Sequence, residues 1–148
     1  IGISFPDAAS DPPRLGERLR VHGSDDALKR LAALDWLKGM RDHVRIDGPS
    51  AVPAPRGFRV VSRVQAHSSA ERMRRRLMKR HDIDHERARQ QIPDSAAKQL
   101  DLPYLDIRSQ STGQRFRLFV RQGPIRETAE AGVFSSYGLS DRATVPWF

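Results

Sequence analysis

The chain has 148 residues, a net charge of +8, a pI near 10.9 and 38% apolar residues. That length and apolar content can bury a core, which excludes a wholly disordered polyelectrolyte. The absence of cysteine excludes disulfides and thiolate metal sites and suits a reducing cytoplasm, and no apolar run reads as a membrane span or signal peptide.

In chain order, "IGISFPD" reads as a short strand and a turn. It starts at Ile1 as a fragment would whose natural beginning has been lost. "RLGERLRVHGS" gives a loop and a strand, with Leu19 and Val21 on one face and Arg18 and Arg20 on the other. Ser24 caps a helix over "DDALKRLAAL", where Leu28, Leu31 and Ala32 recur at helical spacing. "DWLKGM" reads as a further helical turn with Trp36, Leu37 and Met40 as core, and "HVRI" as a strand. "DGPSAVPAPRG" holds three Pro and two Gly and is the linker candidate.

"FRVVSRVQAHS" follows as a Val-rich strand. Ser68 and Glu71 form a capping box for a basic helix over 69–81. Asp84 caps "HERARQQI", Pro93 ends it, and "DSAAKQL" reads as a third short helix. "YLDIRSQ" and "QRFRLFVRQG" flank the turn "STG" as a hairpin. Phe116, Leu118 and Val120 share one face of its second strand, and Arg115, Arg117, Phe119 and Arg121 the other. "PIRET" and "VFSSYGLS" read as a further strand pair around "AEAG".

The charge is concentrated. Residues 1–54 carry 8 basic and 8 acidic side chains, residues 55–126 carry 17 and 7, and residues 127–148 carry 1 and 3. A local excess of this kind faces a polyanion, nucleic acid above all. At about 100° per residue, Arg72, Arg75, Arg76, Lys79 and Arg80 form one stripe roughly 140° wide, with Ala70, Met73 and Leu77 turned to a core. Phosphates along a groove would neutralise the stripe and release counterions; the blander reading is a solvated face. A DNA-binding helix-turn-helix fits the two helices of 72–92, but the turn has no Gly and such a module has no use for a β-rich tail.

In "SRVQ", alternation sets Arg63 and Gln65 on one strand face and Val64 toward the core. An Arg and a Gln side by side match guanine and adenine edges, though a polar strand face does as well. In "RSQSTGQRF", Ser109, Ser111 and Thr112 stand beside Arg108 and a Gly turn, a composition that holds phosphate or a ribose 2′-OH and also suits a plain hairpin tip. Phe116, just past the turn, could stack on a base or be buried. The five His, at 22, 43, 67, 81 and 85, have no metal-motif spacing, so no metal and no cofactor is expected.

Taken together, "SRVQAHSSAERMRRRLMKRHDI", "IRSQSTGQRFRLFVRQGP", "SYGLS" and the terminal "VPWF" resemble the CRISPR-associated type I-F repeat-processing endoribonucleases. "SFPD", "RLGERLRVH" and "DWLKGMRDHVR" fit in the same order, so the resemblance covers essentially the whole chain. It implies an enzyme that binds the stem-loop of CRISPR repeat RNA and cuts at its 3′ base without metal. The ribose 2′-OH attacks the adjacent phosphate, and the product crRNA stays bound among the other subunits of the type I-F surveillance complex. It implies that Arg63 and Gln65 read bases at the foot of the stem. Arg76 and Arg80 belong to the helix that enters the major groove, and Lys79 stands where an arginine is usual. Phe116 stacks beneath the terminal base pair. Ser109 holds the nucleophile, Ser111 and Thr112 surround the scissile phosphate, and Tyr137 orients the catalytic histidine. An A-form major groove is normally too narrow for side chains; the resemblance implies entry at the open loop end. The family's general-base histidine lies upstream of what matches Ile1, with the first strand and helix, and none of the five His replaces it.

The expected fold is α+β. Residues 1–52 form the remainder of a ferredoxin-like domain, lacking its first strand and helix. Residues 53–148 form an RNA-hairpin-binding domain with the Arg-rich helix 69–81 and a β-hairpin tail. The rivals are a non-catalytic RNA-hairpin binder and the DNA-binding helix-turn-helix.

Overall fold

The computed structural model describes residues 1–65, 70–93, 100–109 and 111–148. The first stretch holds β1 (Gly2–Ser4), β2 (Ala9–Ser10), β3 (Pro13–Arg14), β4 (Arg20–His22), α1 (Asp25–Ala33) and a 3-10 turn at Arg41–His43. Then come β5 (Gly57–Val64), α2 (Ala70–His81), α3 (His85–Gln91), β6 (Tyr104–Arg108), β7 (Arg115–Gln122) and β8 (Thr144–Trp147). Every strand pairing described is antiparallel: β1 with β4, β2 with β3, and a four-stranded sheet in the order β6-β7-β5-β8. Three helices with antiparallel sheets, and no parallel pairing among the described residues, make the fold α+β.

Alternation explains the main sheet. On β7, Leu118 and Val120 are buried while Arg115, Arg117 and Arg121 are exposed. Val61 and Val145 join them from β5 and β8, and Phe5, Leu15 and Leu139 complete the buried cluster. The core thus draws on residues before and after the Pro-rich stretch 47–57. That stretch has no regular structure before β5 begins.

The caps hold as the sequence predicts. The Ser24 side chain accepts from the Ala27 amide, and the Asp84 side chain from the Arg87 amide. The Ser68 half of the capping box and most of the "DSAAKQL" helix lie outside the described residues.

Three expectations fail. Trp36 and Met40 are not core: they are 48% and 51% exposed, and only Leu37 is half-buried. "HVRI" is not a strand. Val44 and Ile46 stay exposed, and an isolated run of four has no neighbour to supply ladder bonds. The "PIRET"/"VFSSYGLS" strand pair does not form either. Arg126 instead makes a single bridge with Phe58 of β5, and residues 135–138 turn over at Gly138, whose φ is +71°. The loop between is anchored by Glu130, which takes ion pairs from Arg126 and Arg142, while its amide donates to the Thr144 hydroxyl. The edge of β5 is taken by β8, a strand that its Pro146 disguises in the sequence.

His22 ties β4 to β1 through a 2.8 Å hydrogen bond with the Ser4 hydroxyl. Burial, and after it the Arg20 guanidinium, push this imidazole down to about 4 from its ordinary 6.5. The folded state thus resists a proton that the unfolded chain accepts. The stability is present above the unfolded value of 6.5 and is lost as pH falls towards 4. The ring is part-open to solvent, so screening leaves an effect of about 1–2 kcal/mol. Thermal unfolding at pH 6.5 and pH 5 should show the drop, and His22→Gln, which keeps a partner for Ser4, should flatten it. Equal slopes in the two proteins would remove His22 from the account.

Candidate nucleic-acid interface

The stripe on α2 forms where helical spacing puts it. Arg72, Arg75, Arg76, Lys79 and Arg80 are all exposed, while Ala70 is buried and Met73 and Leu77 are half-buried. A sixth cation of α2, which the stripe does not include, packs inward instead. Arg74 is 5% exposed; its Nε donates to the Ile92 carbonyl at 2.8 Å, and Nη1 lies 3.8 Å from Glu71. Ile92 ends α3, so a cation meets the negative end of that helix and locks α2 against it. The sequence does carry a signal for this: Arg74 is four residues after Ala70 and three before Leu77, on the inward side.

The α2–α3 turn removes one argument against a helix-turn-helix. It contains no Gly, yet Asp82 supplies the left-handed residue at φ 48°. The pair still fits that module poorly. The basic helix comes first, and α3, which would have to read the groove, has seven residues.

The second element is the tip of the β6–β7 hairpin. The Ser109 amide donates to the Gln114 carbonyl at 2.8 Å, and the Gly113 amide to the Ser109 carbonyl at 2.8 Å. Gly113 accommodates this turn with φ +69°. The Ser109 hydroxyl accepts from the Thr112 amide at 3.2 Å and lies 3.1 Å from the Ser111 hydroxyl. Arg108 reaches over the turn, its Nε donating to the Gly113 carbonyl at 3.1 Å. Ser109, Ser111, Thr112 and Arg108 are thus brought together, with hydroxyls and a cation at one point.

The third element joins three residues far apart in sequence. The Arg63 guanidinium carbon stands 5.8 Å from the centre of the Phe116 ring and 5.8 Å from that of Tyr137. The strand register corrects the expected orientation here. Arg63 pairs with Val120 and Val64 with Phe119, so Arg63 shares the sheet face of the buried cluster and Val64 lies on the other. Arg63 stays exposed because it sits at the end of that face, past Val61. Gln65 follows β5 directly and is also exposed. Tyr137 is held by its turn. The Gly138 amide donates to Ser135, the Ile3 amide of β1 to the Gly138 carbonyl, and the Ser140 amide to Val61 of β5. A Cβ at Gly138 would meet Ile3 at 2.9 Å.

Among the described residues no group of three or more His, Asp or Glu is arranged to hold a metal ion. No described helix is long and apolar enough to cross a membrane. A cleft of about 750 Å³ is lined by Asp7, Pro13, Arg14, Leu15, Gly16, Glu17 and Tyr104, and so includes none of these candidates.

Two relatives share this chain's whole length. A CRISPR-associated endonuclease Cas6/Csy4 of Pseudomonas aeruginosa (strain UCBPP-PA14) is 57% identical over 148 residues, which are 100% of this chain and 79% of the relative. A CRISPR-associated endonuclease Cas6/Csy4 of Escherichia coli (strain UTI89 / UPEC) is 44% identical over the same coverage of both chains. The family model described as CRISPR-associated protein (Cas_Csy4) matches residues 1–148, and the chain belongs to that family.

Proposed function

We propose that this chain, an endonuclease by family, binds the stem-loop of CRISPR repeat RNA and is built to cut it at the 3′ base of the stem. The observation that carries the reading is Arg63 set 5.8 Å from the Phe116 ring. A cation suited to a guanine edge stands beside a ring suited to stacking, which is what recognition of a stem's lowest pair requires. In this reading Gln65 reads the neighbouring base, and Arg72, Arg75, Arg76, Lys79 and Arg80 take phosphates in the groove. Lys79 does so as a point charge rather than a bidentate fork. Arg108, Ser111 and Thr112 hold the scissile phosphate, and Ser109 holds the ribose 2′-OH.

The chemistry is an internal transfer. The 2′-oxygen attacks the adjacent phosphorus and the bond to the 5′-oxygen breaks. The 2′-proton leaves to a base and the 5′-oxygen gains a proton. A 2′,3′-cyclic phosphate and a 5′-hydroxyl result, and the proposed step uses no metal. Tyr137 orients the base. The RNA then stays bound among the other subunits of a type I-F complex in the cytoplasm. Residues 1–52 supply part of a ferredoxin-like half and residues 53–148 the hairpin-binding half.

Competition among hairpin RNA, single-stranded RNA and duplex DNA tests the reading, with hairpin RNA expected to win. Arg63→Ala and Gln65→Ala should each cost roughly 1–3 kcal/mol of discrimination at the lowest base pairs. Binding to a hairpin altered there should then differ little from binding to the original. If both variants still discriminate fully, the "SRVQ" assignment is wrong.

A further inference from the structure

We infer that Tyr137 is a positioning residue for base recognition: together with Phe116 it aims the Arg63 guanidinium, and it keeps that hold once Phe116 is taken by the stem. This rests on the proposed reading of Arg63 as a base reader and Phe116 as a stacking ring. It gives Tyr137 a task beside orienting the general base.

Arg63 is exposed, and among the described residues its guanidinium has no carboxylate or carbonyl partner. Its contacts there are two rings, each centred 5.8 Å from the guanidinium carbon. Both lie inside the roughly 6 Å reach of a cation–π contact. The kind of partner matters for what Arg63 has to do. An acid or a carbonyl would fix the side chain by accepting its N–H groups, the same groups that a guanine O6 and N7 need. A ring attracts the cation through its quadrupole, and no lone pair takes those groups. A long side chain is thus aimed before RNA arrives, with its donors open.

The two rings are not equivalent. Phe116 is half-buried on β7 beside the core, and in the proposed complex it stacks on the lowest base pair. Tyr137 stands on a separate loop and is 38% exposed. That reading gives it no base to stack on, so its hold on Arg63 persists in the complex.

The place of Tyr137 is set by the strand that carries Arg63. The Ser140 amide donates to the Val61 carbonyl at 2.9 Å, and Val61 lies on the same face of β5 as Arg63, two residues before it. The Ile3 amide donates to the Gly138 carbonyl at 2.9 Å, which ties the same turn to β1. The N-terminal pair of strands therefore contributes to where Arg63 points.

The test measures binding of two hairpins, the original and one altered at its lowest base pair. The proteins are the unaltered chain, Tyr137→Ala, Tyr137→Phe, Arg63→Ala and the double variant Arg63→Ala/Tyr137→Ala. Tyr137→Ala should lower the preference for the original hairpin about fivefold, the scale of an exposed cation–π contact, and leave affinity for the altered hairpin unchanged. Tyr137→Phe should keep the preference, because the ring and not the hydroxyl holds Arg63. In the Arg63→Ala background, Tyr137→Ala should change nothing further. A merely structural role would weaken both hairpins alike and persist in that background. The proposal is overturned by that pattern, by an unchanged preference in Tyr137→Ala, or by a loss in Tyr137→Phe as large as in Tyr137→Ala. Each of these leaves the Arg63 reading in place. An unchanged preference in Arg63→Ala, or no hairpin binding at all, removes that reading and the proposal with it.

Discussion

Replacing Arg72, Arg76 and Arg80 together by Ala is expected to weaken hairpin binding on the order of a hundredfold at low salt, and to flatten its salt dependence. Each phosphate that goes without its cation removes up to about 0.9 of a unit from the logarithmic slope on a duplex, so the triple variant should fall short by up to about 2.7 units. All three side chains are exposed. The buried cation that docks α2 on α3, Arg74, is untouched, so far-ultraviolet circular dichroism should change little. Binding titrations at four or five salt concentrations, on the unaltered and triple-variant chains, measure both effects. An unchanged slope would return the stripe to a solvated face. Arg74→Ala should behave differently, losing affinity together with helix content, because it frees the Ile92 carbonyl and leaves α3 undocked.

That contrast marks where the sequence was legible. A stripe of exposed cations follows from 3.6-residue geometry, as do the caps at Ser24 and Asp84, because each depends on neighbours within one or two turns. The β6–β7 hairpin was legible for the same reason: two alternating runs meet at a Gly turn. What failed depended on distant partners. "HVRI" and "FRVV" look alike locally, but only β5 has β7 and β8 beside it. The side of the sheet that Arg63 occupies is set by its register with Val120, and no alternation within "SRVQ" can give that. The meeting of Arg63, Phe116 and Tyr137 joins residues 53 and 21 positions apart, so composition and spacing alone carry no sign of it. The family resemblance points to those residues without supplying a distance.

The largest expected effect concerns catalysis by the 148-residue chain. Transfer from the 2′-OH needs a base, and imidazole suits that task near neutral pH. Among the described residues no histidine hydrogen-bonds Ser109. His22 is engaged with Ser4 and resists protonation, and His85 stands 3.8 Å from Glu71. His43 and His81 are exposed, in the 3-10 turn and at the end of α2, and His67 lies outside the described residues. On the proposed reading, in which none of the five His serves as the base, the 148-residue chain should bind the repeat hairpin yet cut it slowly, short by a factor of roughly 10²–10⁴ of an enzyme with a positioned base. Free imidazole in the buffer should restore part of the rate, with a pH profile that follows imidazole's own titration. The products should carry 2′,3′-cyclic phosphate and 5′-hydroxyl ends, with no loss of rate in EDTA. Ser109→Ala should lower the imidazole-assisted rate far more than it lowers affinity, because in the proposed reading the hydroxyl holds the nucleophile rather than the stem. Brisk EDTA-resistant cutting without imidazole would overturn this account. In that event His→Ala replacements at each of the five positions would identify the base, with His67, two residues beyond Gln65, the first to replace.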